Sequence, residues 1–336
     1  MHPGAAIDRC THPSSAQARR RRGAGCGWRV RPVLHVWHVR RLIVACLLAA
    51  LAQAAFAQAS DTLNKIRETG VVVIGYRVGS IPFSYLDATL KPIGYSMDLC
   101  MRIVDSLRQT LSMPELKVKL VAVTPATRIP LVANGTVDLE CGVTTHTLER
   151  RKLEAFTVTT FVARSRLLSK KVAGIRTLDD LRGRTVVSTV GTTSIQRLTA
   201  INAARALDMR IIIGKDDAES LRMVQTDRAA AFAMDDVLLN SLLAEVSDHQ
   251  AFTISSETLS VEPYAIALGK DDPAFKKLVD AVLVALFRSA EIELLYRRWF
   301  ESPIPPNGMN LHLPMSPALR RVISEPSDSS DPRHYE

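Results

Sequence analysis

The segment from Thr144 to Arg150 carries residue types that could hold a small carboxylate. A predicted strand ends at Glu140-Cys141-Gly142, threonine hydroxyls follow it, and Arg150 stands at the predicted start of the next helix. Free backbone amides at a helix start and a guanidinium fork both bind carboxylates. A helix start with solvated charges would have the same composition. The segment alone therefore leaves both interpretations open.

Other predicted strands also end in polar side chains. Arg77, Arg128 and Asp235 each follow such a strand, and the loop Gly191-Thr192-Thr193-Ser194 follows another. Because ligands of open α/β sheets bind at the carboxyl ends of strands, we expect these groups to converge. Arginines match carboxylates and an aspartate accepts hydrogen bonds from an ammonium group, so the set suits a zwitterion with a further carboxylate. Taken singly, each could be a solvated charge or a helix cap.

The elements that would position these groups alternate between strands and helices, which predicts an α/β fold. The run from Val71 to Gly75 is continuously apolar, as in a buried parallel strand, and Met97 to Leu111 has helical periodicity. A second alternating series covers residues 166–244. A strand at 264–268 and a helical stretch at 274–300 then follow. We expect these last elements to rejoin the first series, which predicts two lobes of which the first is discontinuous. Two crossover strands would join the lobes and leave a cleft between them.

The predicted organisation of the chain has five parts. They are residues 1–39, untranslated or disordered; 40–59, a signal peptide; 60–163 with 264–306, the first lobe; 164–263, the second lobe; and 307–336, a C-terminal tail. The end of that tail, Ser327 to Glu336, is rich in Ser, Pro and Asp, and we expect it to be disordered.

The charge of the chain is concentrated at its start. The 336 residues carry a net charge of +9, but nine arginines and a single acid, Asp8, precede Leu42. The remainder holds 34 basic and 33 acidic residues. A folded body this close to neutrality gives no support to nucleic-acid binding, and we expect no nucleic-acid partner.

The start of the chain has the pattern of an export signal. Arg40-Arg41 is followed by an uncharged run from Leu42 to Ala57 and by small residues suited to cleavage. The run is shorter than the roughly 20 apolar residues of a spanning helix, so a membrane anchor is the weaker interpretation. We expect a secreted, periplasmic protein whose translation begins at Val39.

Cysteines and histidines place few constraints on the site. Cys100 and Cys141 are the only cysteines after the predicted signal, and either one disulfide or two buried thiols would suit an exported chain. Neither His-x-x-x-His nor Cys-x-x-Cys occurs. We therefore expect no metal and no cofactor.

A series of short motifs, in order along the chain, resembles one known family. The motifs are Leu63-Asn64-Lys65-Ile66, Gly75-Tyr76-Arg77, Pro82-Phe83-Ser84-Tyr85, Gly94-Tyr95-Ser96, Arg128-Ile129-Pro130-Leu131, Asn134-Gly135-Thr136, Glu140-Cys141-Gly142, Gly191-Thr192-Thr193-Ser194, Met234-Asp235-Asp236, Trp299-Phe300 and Pro303-Ile304-Pro305-Pro306. The chain is similar to the periplasmic amino-acid-binding proteins of ABC transporters (solute-binding protein family 3), and most similar to their glutamate/aspartate-binding branch. The resemblance implies the two-lobed, type II periplasmic-binding-protein fold, with a mixed sheet and flanking helices in each lobe.

The resemblance also implies roles for particular residues. Arg150 would bind the α-carboxylate with Thr145 and with Thr193 of the second lobe. Asp235 would accept from the α-ammonium, together with oxygens at Gly142 and Val143. The side-chain carboxylate would lie between Arg77 and Arg128, which sets the preference for acidic ligands by charge.

Three positions depart from what the resemblance leads us to expect. Pro125 and Val143 stand where serines are expected, and Asp217 stands where a histidine is expected near the ligand's side chain. A carboxylate beside a ligand carboxylate is unfavourable unless it is protonated, paired with an arginine or turned away. The site could therefore suit a different dicarboxylate, or a ligand with a hydrogen-bonding group in place of one oxygen.

The resulting hypothesis is a monomeric periplasmic receptor, not an enzyme, that closes on an acidic amino acid and presents it to the membrane permease of an ABC transporter. The alternative is a periplasmic dehydratase of the cyclohexadienyl (prephenate/arogenate) type on the same fold. Asp217 or Glu140 would be its acid, but no residue pattern supplies a nucleophile with its base.

Overall fold

Two mixed β-sheets, each covered by helices, organise residues 61–336, the part of the chain described by the computed structural model. The predicted untranslated segment 1–39, the start at Val39 and the signal peptide 40–59 lie outside the described residues. No helix within 61–336 has the length and apolar character needed to cross a membrane.

The first sheet has five strands, in the order β5-β1-β6-β14-β7. Its strands are β1 (Val71–Tyr76), β5 (Lys117–Ala122), β6 (Leu139–Glu140), β7 (Glu154–Phe156) and β14 (Ala267–Gly269). β1 pairs in parallel with β5 and β6, whereas β14 is antiparallel to β6 and β7. A parallel strand with covered faces needs a continuous apolar sequence, which the Val-Val-Val-Ile run of β1 supplies.

The second sheet has six strands, in the order β10-β9-β11-β8-β12, with β13 also pairing with β8. Its strands are β8 (Phe161–Lys170), β9 (Thr185–Thr189), β10 (Arg210–Gly214), β11 (Ala231–Asp235), β12 (Phe252–Ile254) and β13 (Ser260–Tyr264). The neighbouring strands β10, β9 and β11 are parallel, and β8 is antiparallel to its partners. This sheet, too, is mixed.

Helices cover the two sheets, and a small three-stranded sheet extends the first lobe. The helices are α1 (Asp61–Thr69), α2 (Tyr95–Thr110), α3 (Arg128–Ala133), α4 (Thr193–Arg205), α5 (Asp217–Gln225), α6 (Asp236–Ala244), α7 (Pro273–Phe287), α8 (Glu291–Tyr296) and α9 (Pro317–Ser324). The small sheet consists of β2 (Gly79–Ser80), β3 (Ser84–Leu86) and β4 (Pro92–Ile93). The predicted two-lobed fold with mixed sheets and flanking helices is confirmed.

The chain crosses between the two sheets twice, at residues 157–160 and at residues 265–266. The amide of Thr157 donates to the carbonyl oxygen of Ile266 at 3.0 Å, and the amide of Thr160 donates to that of Tyr264 at 2.8 Å. The two crossings therefore run side by side. Short paired segments of this kind can bend without disturbing either sheet.

The end of the C-terminal tail is ordered, so the expectation of disorder for Ser327 to Glu336 is wrong. Tyr335 is buried, and its hydroxyl lies 2.8 Å from the hydroxyl oxygen of Thr159 in the first crossing. Thr159 also donates its amide to the carbonyl oxygen of Ser327 at 2.8 Å. Tertiary contacts, which composition does not reveal, hold this segment.

Cys100 of α2 and Cys141, directly after β6, form a disulfide with a Cα–Cα distance of 6.3 Å. Of the two states left open by the sequence, the structure has the disulfide. It joins a helix of the first lobe to the strand end where the Thr144–Arg150 segment begins.

We expect the double variant Cys100→Ser/Cys141→Ser to unfold at lower urea concentration than the oxidised protein. A bridge that spans 41 residues reduces the entropy of the unfolded chain, which corresponds to about 4 kcal/mol in the chain-entropy treatment. Equilibrium urea unfolding measures the difference, with the native protein under reducing conditions as a second comparison. Equal midpoints for oxidised protein and variant would contradict this role.

Candidate functional site

A small cavity of about 20 Å³ lies where the two lobes meet. It is lined by residues from both: Arg77, Pro125, Arg128, Val143, Thr145, Thr192, Thr193, Asp217, Met234, Asp235 and Leu238. Most of the sequence-predicted site residues belong to this lining. The other two do not line it: Gly142 packs between Arg77 and Glu140, and Arg150 donates to the carbonyl oxygens of Thr145 and Gly191. The groups predicted to converge at the carboxyl ends of the strands are thus brought together.

Arg77 and Arg128 present guanidinium groups to the cavity from the first lobe. Arg77 follows β1, where the Ser84 hydroxyl accepts from its backbone amide at 2.9 Å, but its guanidinium makes no hydrogen bond within the described chain. Arg128 opens α3 and donates from Nη1 to the carbonyl oxygen of Val143 at 3.0 Å, while its Nε is buried without a partner. Burial, and next the charge of Arg128, lowers the pKa of Arg77. Unused donors on two buried cations form a site for an anion.

Arg150 connects the two lobes. It begins a three-residue 3₁₀ turn, Arg150–Lys152, rather than the α-helix that the sequence predicts. Nη1 donates to the carbonyl oxygen of Thr145 at 2.8 Å, and Nη2 donates across the lobe boundary to that of Gly191 at 3.2 Å. Burial, followed by the charge of Arg128, lowers the pKa of Arg150 to about 10, so the side chain remains a cation at neutral pH.

The start of α4 supplies part of the second lobe's side of the cavity, through Thr192 and Thr193. Thr192 caps the helix, its hydroxyl accepting from the amide of Ile195 at 3.4 Å. The hydroxyl of Thr193 donates to Glu262 Oε2 at 2.7 Å. Glu262 already accepts from that hydroxyl. The donors left for an anion at Thr193 are therefore the free backbone amides of the helix start.

Asp235 ends β11 and faces the cavity with one oxygen free. Its Oδ2 accepts from the hydroxyl of Tyr264, while its Oδ1 is buried without a hydrogen-bond partner. Burial, and next the negative charge of Glu262, raises the pKa of Asp235 well above its ordinary value. An ammonium group beside Oδ1 would satisfy the free acceptor and favour the ionised carboxylate.

Asp217 occupies the first position of α5 and lines the same cavity. The hydroxyl of Thr189 donates to its Oδ1 at 2.7 Å. Its negative charge acts on Arg77. Asp217 therefore points toward the site. Of the three conditions named for a carboxylate beside a ligand carboxylate, the one in which it is turned away is excluded.

Sequence reasoning missed Glu262 and Tyr264, which lie on β13 and hold Thr193 and Asp235 in place. Glu262 also accepts from the Ser260 hydroxyl. The sequence held a signal for this role, since Glu262 is the one charged residue of the strand Ser-Val-Glu-Pro-Tyr. Every residue of β13 except Ser260 is buried. A charge in such a strand requires buried partners.

Two further acidic residues, Glu140 and Glu154, are buried close enough to Arg150 to act on it electrostatically. The hydroxyl of Thr144 donates to Glu140 Oε2 at 2.6 Å, whereas Glu140 Oε1 and both oxygens of Glu154 have no partner. Burial, and then the charge of Glu140, raises the pKa of Glu154 to about 8, against the opposing charge of Arg150. Glu154 is thus largely protonated at neutral pH. Among the described residues, no group of side chains is arranged to hold a metal ion.

The raised pKa of Glu154 makes the free energy of unfolding depend on pH. Between its ordinary pKa of 4.5 and about 8, the unfolded chain loses this proton and the folded chain keeps it, so rising pH costs stability. We expect Glu154→Gln to remove this loss, a gain of roughly 3 to 5 kcal/mol over native protein at pH 8.5 that vanishes near pH 4. Urea unfolding across pH measures it, with exposed Glu115→Gln as control. A constant difference between variant and native protein would contradict the assignment.

Gly142 packs between Arg77 and Glu140. A Cβ at Gly142 would lie 2.2 Å from Glu140 Oε1 and 2.9 Å from Arg77 Cγ, both far below contact distance. We expect Gly142→Ala to displace one of these side chains and to destabilise the protein by about 1 to 3 kcal/mol. Gly269→Ala, where nothing lies within 4 Å, is the matched control. Thermal unfolding of the two variants compares them, and equal melting temperatures would contradict this packing.

Comparison with protein families gives one clear match. The family model described as bacterial extracellular solute-binding proteins, family 3, matches residues 72–302. These residues include all the strands of both lobes except the first residue of β1.

Two bacterial relatives match over most of their length. The L-glutamate/L-aspartate-binding protein of Pseudomonas aeruginosa is 46% identical over 289 residues, covering 86% of this chain and 95% of the relative. The glutamate/aspartate import solute-binding protein of Escherichia coli K12 is 41% identical over 291 residues, covering 86% and 96%. Among solved structures, a mutant of ArgBP from T. maritima superposes with a TM-score of 0.64 over 71% of this chain and 99% of its own. At 24% identity, it shows the shared fold alone.

Proposed function

This chain belongs to the bacterial extracellular solute-binding proteins of family 3, and from that premise we propose that it is the periplasmic solute-binding component of an ABC amino-acid importer. Its ligand is an acidic amino acid, glutamate, aspartate or a related dicarboxylate. The observation that carries the proposal is that Arg77, Arg128 and Asp235 line one cavity between the lobes, while Arg150 donates to Thr145 of the same lining and to Gly191 of the other lobe.

The ligand's α-carboxylate is assigned to Arg150. This side chain reaches across the lobe boundary to Gly191, next to the start of α4. The amides of that helix start and the backbone around Thr145 add donors. Every amino acid has this carboxylate, so Arg150 provides affinity without selecting a side chain.

The α-ammonium is assigned to Asp235 and the side-chain carboxylate to Arg77 and Arg128. Asp235 has a free buried oxygen, and the arginines have unused donors. In a site closed to water, a ligand side chain of the wrong charge would face like charge. The two arginines therefore set the preference for an acidic side chain.

Binding requires the lobes to move. A cavity of about 20 Å³ holds roughly one water molecule, far less than an amino acid needs. Across the boundary, a Cβ on Gly191 would lie 2.6 Å from the carbonyl oxygen of Pro125, which shows how closely the lobes approach. Bending at the crossings 157–160 and 265–266 would open the site and close it again over the ligand.

The dehydratase alternative has less support. Both relatives are named as binding proteins rather than as enzymes. Asp217 lines the site and Glu140 does not, and each accepts a hydrogen bond from a threonine hydroxyl. Incubation with prephenate and arogenate, followed by analysis for turnover, tests the alternative.

The proposal also includes the export of this chain and its partner in the membrane. Residues 40–59 would direct the chain to the periplasm and be cleaved, and the closed, liganded protein would act as a monomer on the membrane permease of its transporter. The family's extracellular character and the two relatives support this placement.

Isothermal titration calorimetry of two arginine variants tests the assignment of the ligand's two ends. We expect Arg150→Ala to abolish binding of every amino acid, since removing one partner of a buried ion pair costs roughly 3 to 5 kcal/mol. We expect Arg77→Ala to lose mainly the preference for acidic over neutral amino acids. Exposed Arg151→Ala is the control and should bind as the native protein does. Equal loss of all ligands in both site variants would contradict the assignment.

A further inference from the structure

Asp217 is an acceptor with one oxygen in use. Its Oδ1 accepts from the Thr189 hydroxyl at 2.7 Å, and its Oδ2 makes no hydrogen bond or ion pair with any described residue. The carboxylate is buried, held at the first position of α5, and lines the cavity together with Arg77. A ligand that reaches Arg77 therefore meets a fixed acceptor beside the fixed donors.

Charges in this half of the site are already close to balance. Asp217 and Glu140 both act electrostatically on Arg77, and neither forms a direct salt bridge with it. The side chains that act on Arg77 at this end of the site are thus one further arginine, Arg128, and two acidic residues, Asp217 and Glu140. This half of the site can satisfy a ligand group without requiring that group to bring a further negative charge.

Hydrogen-bond chemistry separates the candidate ligand groups. A carboxylate only accepts, so it can use Arg77 and Arg128 but leaves Asp217 facing a like charge. A side-chain amide has an oxygen that accepts from the arginines and an NH₂ that donates to Asp217. Pro125 and Val143, which belong to the same lining as Asp217, have no side-chain donor.

We propose that Asp217 makes the side-chain end of the site accept amides, so that this protein binds glutamine or asparagine as well as the acidic amino acids. The inference rests on the proposed function, because it concerns the same site and the same closure. It adds a second ligand class, recognised by a donor–acceptor pair rather than by charge alone.

Calorimetry with glutamate, aspartate, glutamine and asparagine tests the inference on the native protein and on Asp217→Asn. The asparagine side chain keeps the size and can still accept from Thr189. We expect the native protein to bind its preferred amide within about tenfold of the corresponding acid. We expect the ratio of amide Kd to acid Kd to rise by about 10- to 100-fold in the variant, the range of a charge-assisted hydrogen bond.

Asp217→Ser is a second variant that should shift the ratio the same way, and the exposed Asp227→Asn is a control that should leave it unchanged. Thermal unfolding confirms that each variant is folded. A ratio unaffected by both Asp217 variants, with acids bound normally, would overturn the inference and leave the proposed function intact. Binding of none of the four by native protein would overturn both.

Discussion

The burial of three arginines at the boundary between two lobes is the constraint on which the rest of this structure depends. A buried guanidinium is costly unless its donors and its charge are met. Arg150 meets part of this need with carbonyl oxygens from both lobes, and Arg128 with that of Val143. Arg77 and Arg128 line the cavity, and Arg128 Nε is buried there without a partner. The protein thus has a place where an anion completes the structure, and a ligand that supplies it also joins the two lobes.

The acidic residues around the arginines differ in what they do. Glu154 lies behind Arg150 and stays largely protonated at neutral pH, so it relieves little of the positive charge. Asp235 is held by Tyr264 and has its other oxygen free, which suits an ammonium. Asp217 lines the cavity and accepts from the hydroxyl of Thr189. These three carboxyl groups thus have different roles because their burial and their neighbouring residues differ.

Much of the fold could be predicted from sequence because its main elements are long and periodic. α2 lies within two residues of the predicted Met97 to Leu111 at each end, and β1 is one residue longer than predicted. The two- and three-residue strands β2, β3 and β4 were missed, since such short segments carry no periodicity. The bond between Cys100 and Cys141 was left open because it joins residues far apart in sequence. Strand ends predicted Arg77, Arg128 and Asp235 in the lining, and the family resemblance added Val143 and Asp217. The supporting residues on β13 were not predicted.

The position of the last residues has a practical meaning for work with this protein. Tyr335, next to the chain end at Glu336, is buried against Thr159 in one of the two crossings. An affinity tag or fluorescent label fused there would begin beside the segment that must bend. A reporter attached beside Tyr335 would therefore sense the motion of the lobes, and a bulky group attached there would impede it.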